Sequence, residues 1–442
     1  MNDWRAIYHE KLVSREKAAQ FVESGDRIFA GGSSLPAELI NAVCDRSDLH
    51  SVKLISAVNS TECNALSDPD CFGRIEYHSL FLGPADRAYQ KLDGIHNNSV
   101  QFHQAIDALQ NVYRVNVLML EVSEPDDDGF LYYGTRGSAW GILDETVDKV
   151  ILQINKYRQP VGGIHTKIHI SRVTAVCRCD HPQKLYQYKY AAETDKRIAA
   201  HILPYIDNGC TLQIGIGGIP NAVAYGLAER KNLGIYTEVL TDAQLELMRV
   251  GAVDLDRVEA AFVLDSLGHV DEALLRHISM APLNLLNDPV RAAKQPKLIS
   301  INACLIADVT GQICSEAIGS RQYSGVGGQL DFVRAAARSD GGISFLCLKS
   351  VHTAPDGTVS SNIFARLPEG AVVTTPRSDV MNVVTEWGVA ELHNRPLEER
   401  VCAMISIAHP NFRRQLAEDA IACGLLHREL AENSIVFSSA QQ

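Results

Sequence analysis

Residues 215–238 constrain the fold more than any other part of this chain. The sequence Gly-Ile-Gly-Gly-Ile-Pro starts directly after the short apolar run 211–214, so the glycines stand where a strand is predicted to end. Pro220 is followed by Asn-Ala-Val-Ala, and proline is tolerated in the first turn of a helix. A strand, a glycine turn and a helix N-terminus in this order present backbone N–H groups that favour an anion.

A second predicted strand, residues 234–239, carries a single carboxylate at Glu238. Its neighbours Tyr236 and Val239 are apolar or aromatic, and a carboxylate is unusual within a plain buried strand. We therefore expect Glu238 to be a nucleophile beside an anion-binding turn. Glycine turns also occur in ordinary α/β loops, and many glutamates at strand ends simply point into water.

A second glycine-rich loop downstream strengthens the functional interpretation. Residues 311–333 combine glycines with Ser, Gln and Arg before a helix that is predicted to start near Gln329. Such a loop is expected to be exposed and to offer backbone N–H groups to an oxyanion. Tight packing is the alternative reason for its glycines.

An internal repeat suggests two similar domains. When residues 24–43 are set against residues 208–227 without a gap, four positions match: Gly25 with Gly209, Gly31 with Gly215, Pro36 with Pro220, and Leu39 with Val223. Strand-like and helical segments alternate in both halves, which favours mostly parallel sheets covered by helices. We expect two tandem, similar open α/β domains, residues 1–185 and 193–442, with Glu238 in the second.

The periodicity of apolar residues predicts further elements. A helix is expected over residues 11–24 and a helix-rich tail over 397–430. The predicted strands of the first half are 52–57, 115–121 and 149–154, and those of the second half are 260–264, 297–302, 342–348 and 371–374.

The composition narrows the class of partners and the compartment. A net charge of −12 argues against nonspecific nucleic-acid binding. No apolar run approaches the ~20 residues that span a bilayer, and the N-terminal residues lack the apolar core of a signal peptide. The 11 cysteines form an odd, unclustered set, which indicates reduced thiols and a cytoplasmic protein.

Two short groups resemble metal motifs only superficially. Cys177, Cys179 and His181 do not have the Cys-x-x-Cys spacing. His165 and His169 lack the glutamate of His-Glu-x-x-His and lie in strand-rich sequence. We expect no metal site.

Several longer motifs, in the same order, resemble the class I CoA-transferases of the acetyl-CoA hydrolase/transferase branch. This group includes 4-hydroxybutyrate, butyrate and acetate/succinate CoA-transferases. The resemblance is carried by Gly215-Ile-Gly-Gly-Ile-Pro-Asn-Ala-Val, Thr237-Glu238, Gly325-Val-Gly-Gly-Gln-Leu-Asp-Phe-Val-Arg334, Leu367-Pro-Glu-Gly-Ala-Val-Val-Thr-Thr-Pro-Arg-Ser-Asp379, Val384-Thr-Glu-Trp-Gly-Val-Ala390 and Ile405-Ser-Ile-Ala-His-Pro-Asn-Phe412.

The resemblance implies two open α/β domains with the active site between them and Glu238 as the nucleophile. It implies that Gly328 supplies an oxyanion-hole N–H, and that Asn302 and Glu386 line the acyl or carboxylate pocket. The implied CoA-binding residues are Gly215, Ile216, Gly217, Gly218, Ile219, Ser324, Gly327 and Gly328. The sequence itself does not assign the residues that hold the CoA phosphates: Arg321 and Arg377 are candidates, and an ordinary surface position is the commoner role of such arginines.

The same resemblance implies a ping-pong transfer of CoA between an acyl-CoA and a small or medium carboxylate, through a glutamyl-CoA thioester. CoA is then a substrate, no tightly bound cofactor is required, and a homo-oligomer is expected. The sequence departs from many relatives at Tyr236-Thr237-Glu238, where they have His-Ser-Glu or His-Thr-Glu, and in residues 57–66. Both departures leave the acid specificity open.

The sequence is also compatible with two other functions. An acyl-CoA hydrolase would use the same glutamate, with water in place of the acceptor acid. A non-catalytic, ligand-sensing α/β protein would have no need of Glu238 and would leave the paired glycine loops without a purpose.

Overall fold

The computed structural model describes residues 4–92, 94–183, 185, 187 and 190–433. By packing, the chain forms two compact units. The first contains residues 1–187, 238–242 and 258–287, and the second contains residues 188–237, 243–257 and 288–442. No helix among the described residues is both long and apolar enough to cross a membrane.

The sequence predicts a single boundary between residues 185 and 193, whereas two later segments pack with the first unit, and one of them begins at Glu238. Hydrogen bonds to the backbone explain this packing for residues 258–287. The Gln159 side-chain amide exchanges two hydrogen bonds of 2.8 Å with the backbone of Val270, and the Ile164 N–H donates to the Met280 carbonyl over 2.8 Å.

The first unit is built on a seven-stranded parallel sheet. Apolar residues such as Ile28, Leu54 and Met119 on its strands are buried, as the predicted pattern requires. In spatial order the strands are Ile95–Asn97, Ile75–Ser79, Val52–Ser56, Arg27–Ala30, Val117–Val122, Lys149–Ile154 and Ala175–Arg178.

A second sheet has eight strands, and its last strand runs antiparallel to its neighbour. The strand Thr211–Ile214 pairs in parallel with the strands on both of its sides. In spatial order the strands are Ser279–Met280, Val253–Leu264, Leu233–Thr241, Thr211–Ile214, Leu298–Ala303, Ile343–Cys347, Asn382–Thr385 and Gly388–Glu391.

The two sheets confirm the fold class and the internal repeat. Arg27–Ala30 and Thr211–Ile214 are each the fourth strand of their sheet, and each is followed by glycines and a helix. In both sheets the next three strands of the chain lie in order on one side, and later strands lie on the other. The repeat therefore extends from a short motif to the topology of both sheets.

Helices and short strands complete the two units. The α-helices are Trp4–Lys11, Arg15–Ala19, Ala37–Cys44, Asn64–Ser67, Pro69–Phe72, Pro84–Tyr89, Ala105–Asp107, Gly134–Gly137, Glu193–Ile202, Gly218–Gly226, Asp242–Arg249, Glu272–Leu275, Leu283–Leu286, Pro289–Ala292, Gln329–Arg338, Leu397–Ser406, Pro410–Ala422 and Arg428–Asn433. The small strands pair as Phe130–Tyr132 with Lys167–His169, Ala317–Ile318 with Arg321–Gln322, Val351–Thr353 with Val359–Ser361, and Ile306–Asp308 with both Ile313–Cys314 and Ile363–Phe364.

The single helix predicted over residues 11–24 is wrong. One helix ends at Lys11, whose ammonium donates to the carbonyls of Ile170 (3.1 Å) and Ser171 (2.9 Å). A new helix begins after Ser14, whose hydroxyl caps it by accepting from the Lys17 N–H. These tertiary and capping bonds replace the continuous helix that the propensities favour.

The strand predicted over residues 371–374 is also wrong. The only pairing nearby is an isolated bridge between Ile313 and Thr375 among the described residues. Pro376 lacks an N–H group, and Gly370 has a positive φ of 82°, so the segment cannot extend into a regular ladder.

We predict that Gly32→Ala destabilises the protein. A Cβ atom at this position would lie 1.8 Å from the Ala57 carbonyl oxygen and 2.7 Å from the Asn59 nitrogen. Backbone atoms cannot move away as a flexible side chain can, so the free energy of unfolding should fall by roughly 1–3 kcal/mol. Urea unfolding followed by tryptophan fluorescence measures this change.

Gly73→Ala is the matched control for this substitution. Gly73 has a φ of −79° and no atom within 4 Å of a built Cβ. Its substitution should change the free energy of unfolding by less than about 0.5 kcal/mol. Equal effects of the two substitutions would contradict the packing role of Gly32.

Candidate active site

The glycine turn after Thr211–Ile214 has a backbone that requires glycine. Gly217 has φ 131° and ψ 179°, a conformation that side chains disfavour. The following helix begins at Gly218, so Pro220 lies within its first turn, as the sequence predicts. Gly215 lies so close to Asn302 that a Cβ would be 3.0 Å from the Asn302 Oδ1.

This turn lines a cavity of about 1030 Å³, formed within the second unit. The cavity is called the glycine-turn cavity below. Its walls include residues 216–220, 303–306 and 347–349, which lie at or shortly after the carboxyl ends of three adjacent parallel strands. Open α/β sheets bind ligands at this edge, and the volume matches the upper end of small-molecule sites.

The glycine-turn cavity contains an ion pair that sequence reasoning missed. Lys349 Nζ lies 3.2 Å from Asp195 Oδ1, and both residues line the cavity. The other oxygen of Asp195 accepts from the Ala192 N–H over 2.9 Å. A Cβ on Gly218 would lie 2.3 Å from Asp195 Oδ2, so this arrangement depends on glycine there. The sequence feature that could have identified Lys349 as a cavity residue is its position two residues after the parallel strand Ile343–Cys347.

The cavity also has an apolar wall. Ile216, Ile318 and Tyr323 line it and remain 48%, 59% and 41% exposed. Large apolar side chains gathered around a cavity favour a ligand with an apolar portion. The cavity therefore combines helix-terminal N–H groups, an ammonium and an apolar wall.

Glu238 directly follows a residue that is bonded to the start of the glycine turn. The Thr237 hydroxyl donates to the carbonyl of Ile214, the residue before Gly215, over 3.3 Å. The strand is fully buried from Leu233 to Thr237 and becomes half-buried at Glu238. Glu238 is therefore the first residue along this strand that is partly exposed.

The carboxylate of Glu238 has a fixed neighbour in the first unit. Asn287 Nδ2 donates to Glu238 Oε2 over 2.8 Å, and Asn287 is completely buried. No sequence pattern identified Asn287, because it lies 49 residues away in an unremarkable segment.

The second glycine loop is less exposed than its composition predicts. Gly325, Gly327 and Gly328 are buried, so the expectation of an exposed loop is wrong for them. Gly327 has a positive φ of 65°, and Gly328 is the N-cap of the helix that begins at Gln329, as predicted. The Ser324 N–H donates to the carbonyl of Glu316 over 3.1 Å.

The residues expected at CoA divide into two sets. Ile216 to Ile219 line the glycine-turn cavity, and Gly215 immediately precedes them. Ser324, Gly327 and Gly328, although described, are not among its lining residues, whereas Tyr323 of the same loop is.

Asn302 and Glu386 have their polar atoms engaged within the second unit. Asn302 Nδ2 donates to Gln213 Oε1 (2.9 Å) and to Ser300 Oγ (3.0 Å). The Glu386 carboxylate accepts from the Ser350 N–H (3.0 Å) and hydroxyl (2.5 Å). Glu386 thus holds Ser350, the residue that follows Lys349, in place.

Among the described residues, no group of three or more His, Cys, Asp or Glu side chains could hold a metal ion. Burial raises the pKa of the Cys177 thiol to about 12. His181 Nε2 donates to Glu121 Oε1 over 2.6 Å, and this hydrogen bond raises the pKa of the imidazole.

The chain matches two family models across most of its length. The acetyl-CoA hydrolase/transferase N-terminal domain matches residues 1–202, and the C-terminal domain matches residues 269–420.

Individual relatives match almost end to end. The 4-hydroxybutyrate coenzyme A transferase of Clostridium kluyveri is 32% identical over 94% of this chain and 99% of its own. The succinyl-CoA:cyclohexane-1-carboxylate CoA transferase of Geobacter metallireducens is 34% identical over 93% of this chain and 95% of its own. The crystal structure of RipA from Yersinia pestis, 30% identical, covers 96% of this chain and 100% of its own with a TM-score of 0.88.

We predict that Glu386→Ala destabilises the protein. The substitution removes the acceptor of the Ser350 N–H and hydroxyl in a buried environment. The loss should be about 1–3 kcal/mol in the free energy of unfolding, measured by urea denaturation. Glu391→Ala, at a mostly exposed glutamate five residues later, is the control and should have little effect. A stability unchanged by Glu386→Ala would show that the carboxylate is not structural.

Proposed function

Because the chain belongs to the acetyl-CoA hydrolase/transferase family, we propose that it transfers CoA from an acyl-CoA to a small or medium carboxylic acid, with Glu238 as the nucleophile. Its homologues are CoA-transferase enzymes. The observation that carries the proposal is the position of Glu238. It is a half-buried carboxylate one residue after Thr237, which is bonded to the residue before the glycine turn.

The chemistry proceeds in two exchanges. The Glu238 carboxylate attacks the thioester carbonyl of the donor, so a C–O bond forms and the C–S bond breaks to release CoA thiolate. The thiolate then attacks the glutamyl carbonyl of the resulting anhydride and releases the donor acid as its carboxylate. The acceptor acid repeats both steps in reverse, which gives ping-pong kinetics.

Each attack passes through a tetrahedral oxyanion, and a missing hydrogen-bond donor costs roughly 10²–10³ in rate at comparable sites. We propose the N–H of Gly328 as a donor to the thioester oxygen. Its place as the N-cap of the helix Gln329–Arg338 supports this, because N–H groups at a helix N-terminus favour negative charge. Asn302 and Glu386 remain proposals for the acid pocket, with Glu386 acting through Ser350.

The glycine-turn cavity supports binding of the CoA portion. We propose that residues 216–219 and Lys349 contact its phosphates, since an ammonium and helix-terminal N–H groups both favour phosphate. Ile216, Ile318 and Tyr323 offer apolar surface to the pantetheine arm. Gly215, Ser324, Gly327 and Gly328 complete the proposed CoA-binding set.

The acid is proposed only as a class. The named substrates of the two relatives include 4-hydroxybutyrate and cyclohexane-1-carboxylate, which differ greatly in shape. A panel of short linear and cyclic carboxylates is therefore the appropriate screen. The cytoplasmic location and the homo-oligomeric state belong to the same proposal; the thiol state of the cysteines supports the location.

The second candidate is an acyl-CoA hydrolase, because the family includes hydrolases and the same glutamate serves both reactions. The two are separated by the dependence of acyl-CoA consumption on added carboxylate. A transferase requires the acceptor, whereas a hydrolase consumes acyl-CoA at an unchanged rate without it.

We predict that borohydride traps the glutamyl thioester of the wild-type protein. After incubation with a short acyl-CoA, reduction should convert one glutamate to an alcohol, with loss of one oxygen and gain of two hydrogens in the intact mass. Peptide mapping should place this change at Glu238, and Glu238→Ala should show none. A mass change at another residue would reject the assignment of the nucleophile.

We also predict that Lys349→Ala weakens binding of acyl-CoA more than it slows turnover. Loss of one ammonium from a phosphate contact should raise KM for acyl-CoA about tenfold, with a smaller effect on kcat. Initial-rate kinetics with saturating acceptor test this. Lys297→Ala, at a lysine in the same unit that is not among the residues lining the cavity, is the control. A change confined to kcat would contradict a binding role for Lys349.

A further inference from the structure

Arg136 is a buried arginine of the first unit. It lies in the helix Gly134–Gly137, and only 3% of the residue is exposed. Within the part of the chain that the structure describes, its Nε and Nη2 have no hydrogen-bond partner. These two nitrogens share one edge of the guanidinium, and such an edge forms the paired hydrogen bonds of a bidentate contact with a carboxylate. A buried charge of this kind strongly destabilises a fold unless an anion compensates it.

Arg158, in the same unit, shows how this edge of a guanidinium binds a carboxylate. Its Nε and Nη2 both donate to Oε2 of Glu121, the first over 2.9 Å. The other oxygen of Glu121 accepts from Gln153 over 2.9 Å and from His181 over 2.6 Å. Both oxygens of Glu121 are thus engaged by other donors, and the equivalent edge of Arg136 remains open.

The charges around Arg136 also favour a bound anion. Burial, and after it the nearby guanidinium of Arg158, lowers the pKa of Arg136 to about 10, although Asp265 and Glu121 oppose this shift. The two carboxylates therefore do not offset what the guanidinium loses on leaving water. A further carboxylate at the Nε–Nη2 edge would supply the missing compensation.

Trp140 connects this region to the strand that carries the nucleophile. It lies four residues after Arg136 along the chain, and its ring centroid is 6.1 Å from that of Phe262. Phe262 belongs to the strand Val253–Leu264, which is the neighbour of Leu233–Thr241 in the sheet. The indole Nε1 of Trp140 is buried and, among the described residues, is a second donor without a partner.

Asp265 provides another connection to the nucleophile. It is near enough to Arg136 to raise the pKa of the guanidinium. The N–H of the next residue, Ser266, donates to Asp242 Oδ1 over 3.2 Å. Asp242 lies four residues after Glu238, and the segment that contains both belongs to the first unit. The open edge of Arg136 is therefore in the same unit as Glu238 and close to the segment that follows it.

We propose that Arg136 binds the second carboxylate of a dicarboxylic acid and thereby selects the acid substrate. This inference rests on the proposed transfer of CoA to a carboxylic acid. The carboxylate that reacts must be free to attack a carbonyl carbon, so the guanidinium cannot hold that group. Arg136 instead holds the carboxylate at the far end of a short carbon chain, and no covalent bond changes there.

The test compares acceptor acids of equal chain length that differ in the second carboxylate: succinate with butyrate, and glutarate with pentanoate. Initial rates with saturating acetyl-CoA give kcat/KM for each acid. Wild-type protein should prefer the dicarboxylic acid of each pair at least about tenfold, because hydrogen bonds between charged groups contribute on this scale.

Two substitutions of Arg136 should remove this preference to different degrees. Arg136→Met keeps most of the side-chain length but removes the charge, and it should lower kcat/KM for the dicarboxylic acids about 10–100-fold. The values for the monocarboxylic acids should change less than about threefold. Arg136→Lys keeps the charge but loses the paired edge, so its preference should lie between those of wild type and Arg136→Met.

Arg400→Met is the matched control. Arg400 is a buried arginine of the second unit whose Nε and Nη2 donate to the carbonyls of Thr310 (2.8 Å) and Arg377 (2.7 Å). Its substitution should lower the melting temperature but leave the ratio between the two acids of each pair unchanged. Thermal unfolding of every variant therefore separates loss of a buried arginine from loss of the carboxylate contact.

The outcomes distinguish this inference from the proposed function. If no acid of either series increases the consumption of acyl-CoA by wild-type protein, the proposed function itself is overturned. If wild-type protein transfers CoA but does not prefer dicarboxylic acids, only the role of Arg136 is overturned. An unchanged ratio of the two acids in Arg136→Met would overturn it equally. The preference of the wild-type protein needs no substitution, so it tests the inference even where a variant does not fold.

Discussion

The parallel pairing of Thr211–Ile214 with Leu233–Thr241 is the interaction on which the candidate site depends. Parallel strands end at the same edge of a sheet, so the glycine turn after Ile214 and Thr237, the residue before Glu238, are brought to that edge. The Thr237 hydroxyl secures this arrangement through its bond to Ile214. Lys349 reaches the glycine-turn cavity by the same principle, from the end of Ile343–Cys347.

The internal repeat shows that one supersecondary unit can be used in two ways. In the first unit, a Cβ on Gly32 would meet the backbone of Ala57, and one on Gly31 would meet Trp140 at 3.0 Å. In the second unit, Gly215 and Gly218 are packed as closely, against Asn302 and Asp195, whereas a Cβ on Gly217 would have Pro220 at 3.8 Å as its nearest contact. The repeated turn is therefore closely packed in both units, and in the second unit it also lines a cavity.

Buried charge also differs between the equivalent sheet edges. Near the end of Val117–Val122, Glu121 is fully buried and accepts from Arg158, Gln153 and His181. Arg158 and the nearby Arg136 are both buried, and this environment lowers the pKa of Arg136 to about 10, chiefly through desolvation. The corresponding edge of the second sheet also has a buried carboxylate, Glu386, but its cation Lys349 is half-exposed. A solvated ammonium remains available to a ligand, whereas a buried guanidinium paired with a carboxylate is largely committed to the fold.

Local sequence determined the elements whose signals are local: the strands Thr211–Ile214 and Lys149–Ile154, the helix starting at Gln329, the repeated glycine turns and the unusual carboxylate at Glu238. It failed at residues 11–24 and 371–374, where contacts with distant carbonyls and a proline outweighed local propensity. Only the tertiary structure decided that Asn287 contacts Glu238, that Lys349 faces Asp195, and that residues 238–242 pack with the first unit. These features join residues that lie dozens to more than a hundred positions apart in the sequence. Hydrophobic periodicity cannot predict such pairs, because it indicates which face of an element is buried and not which residues cover that face.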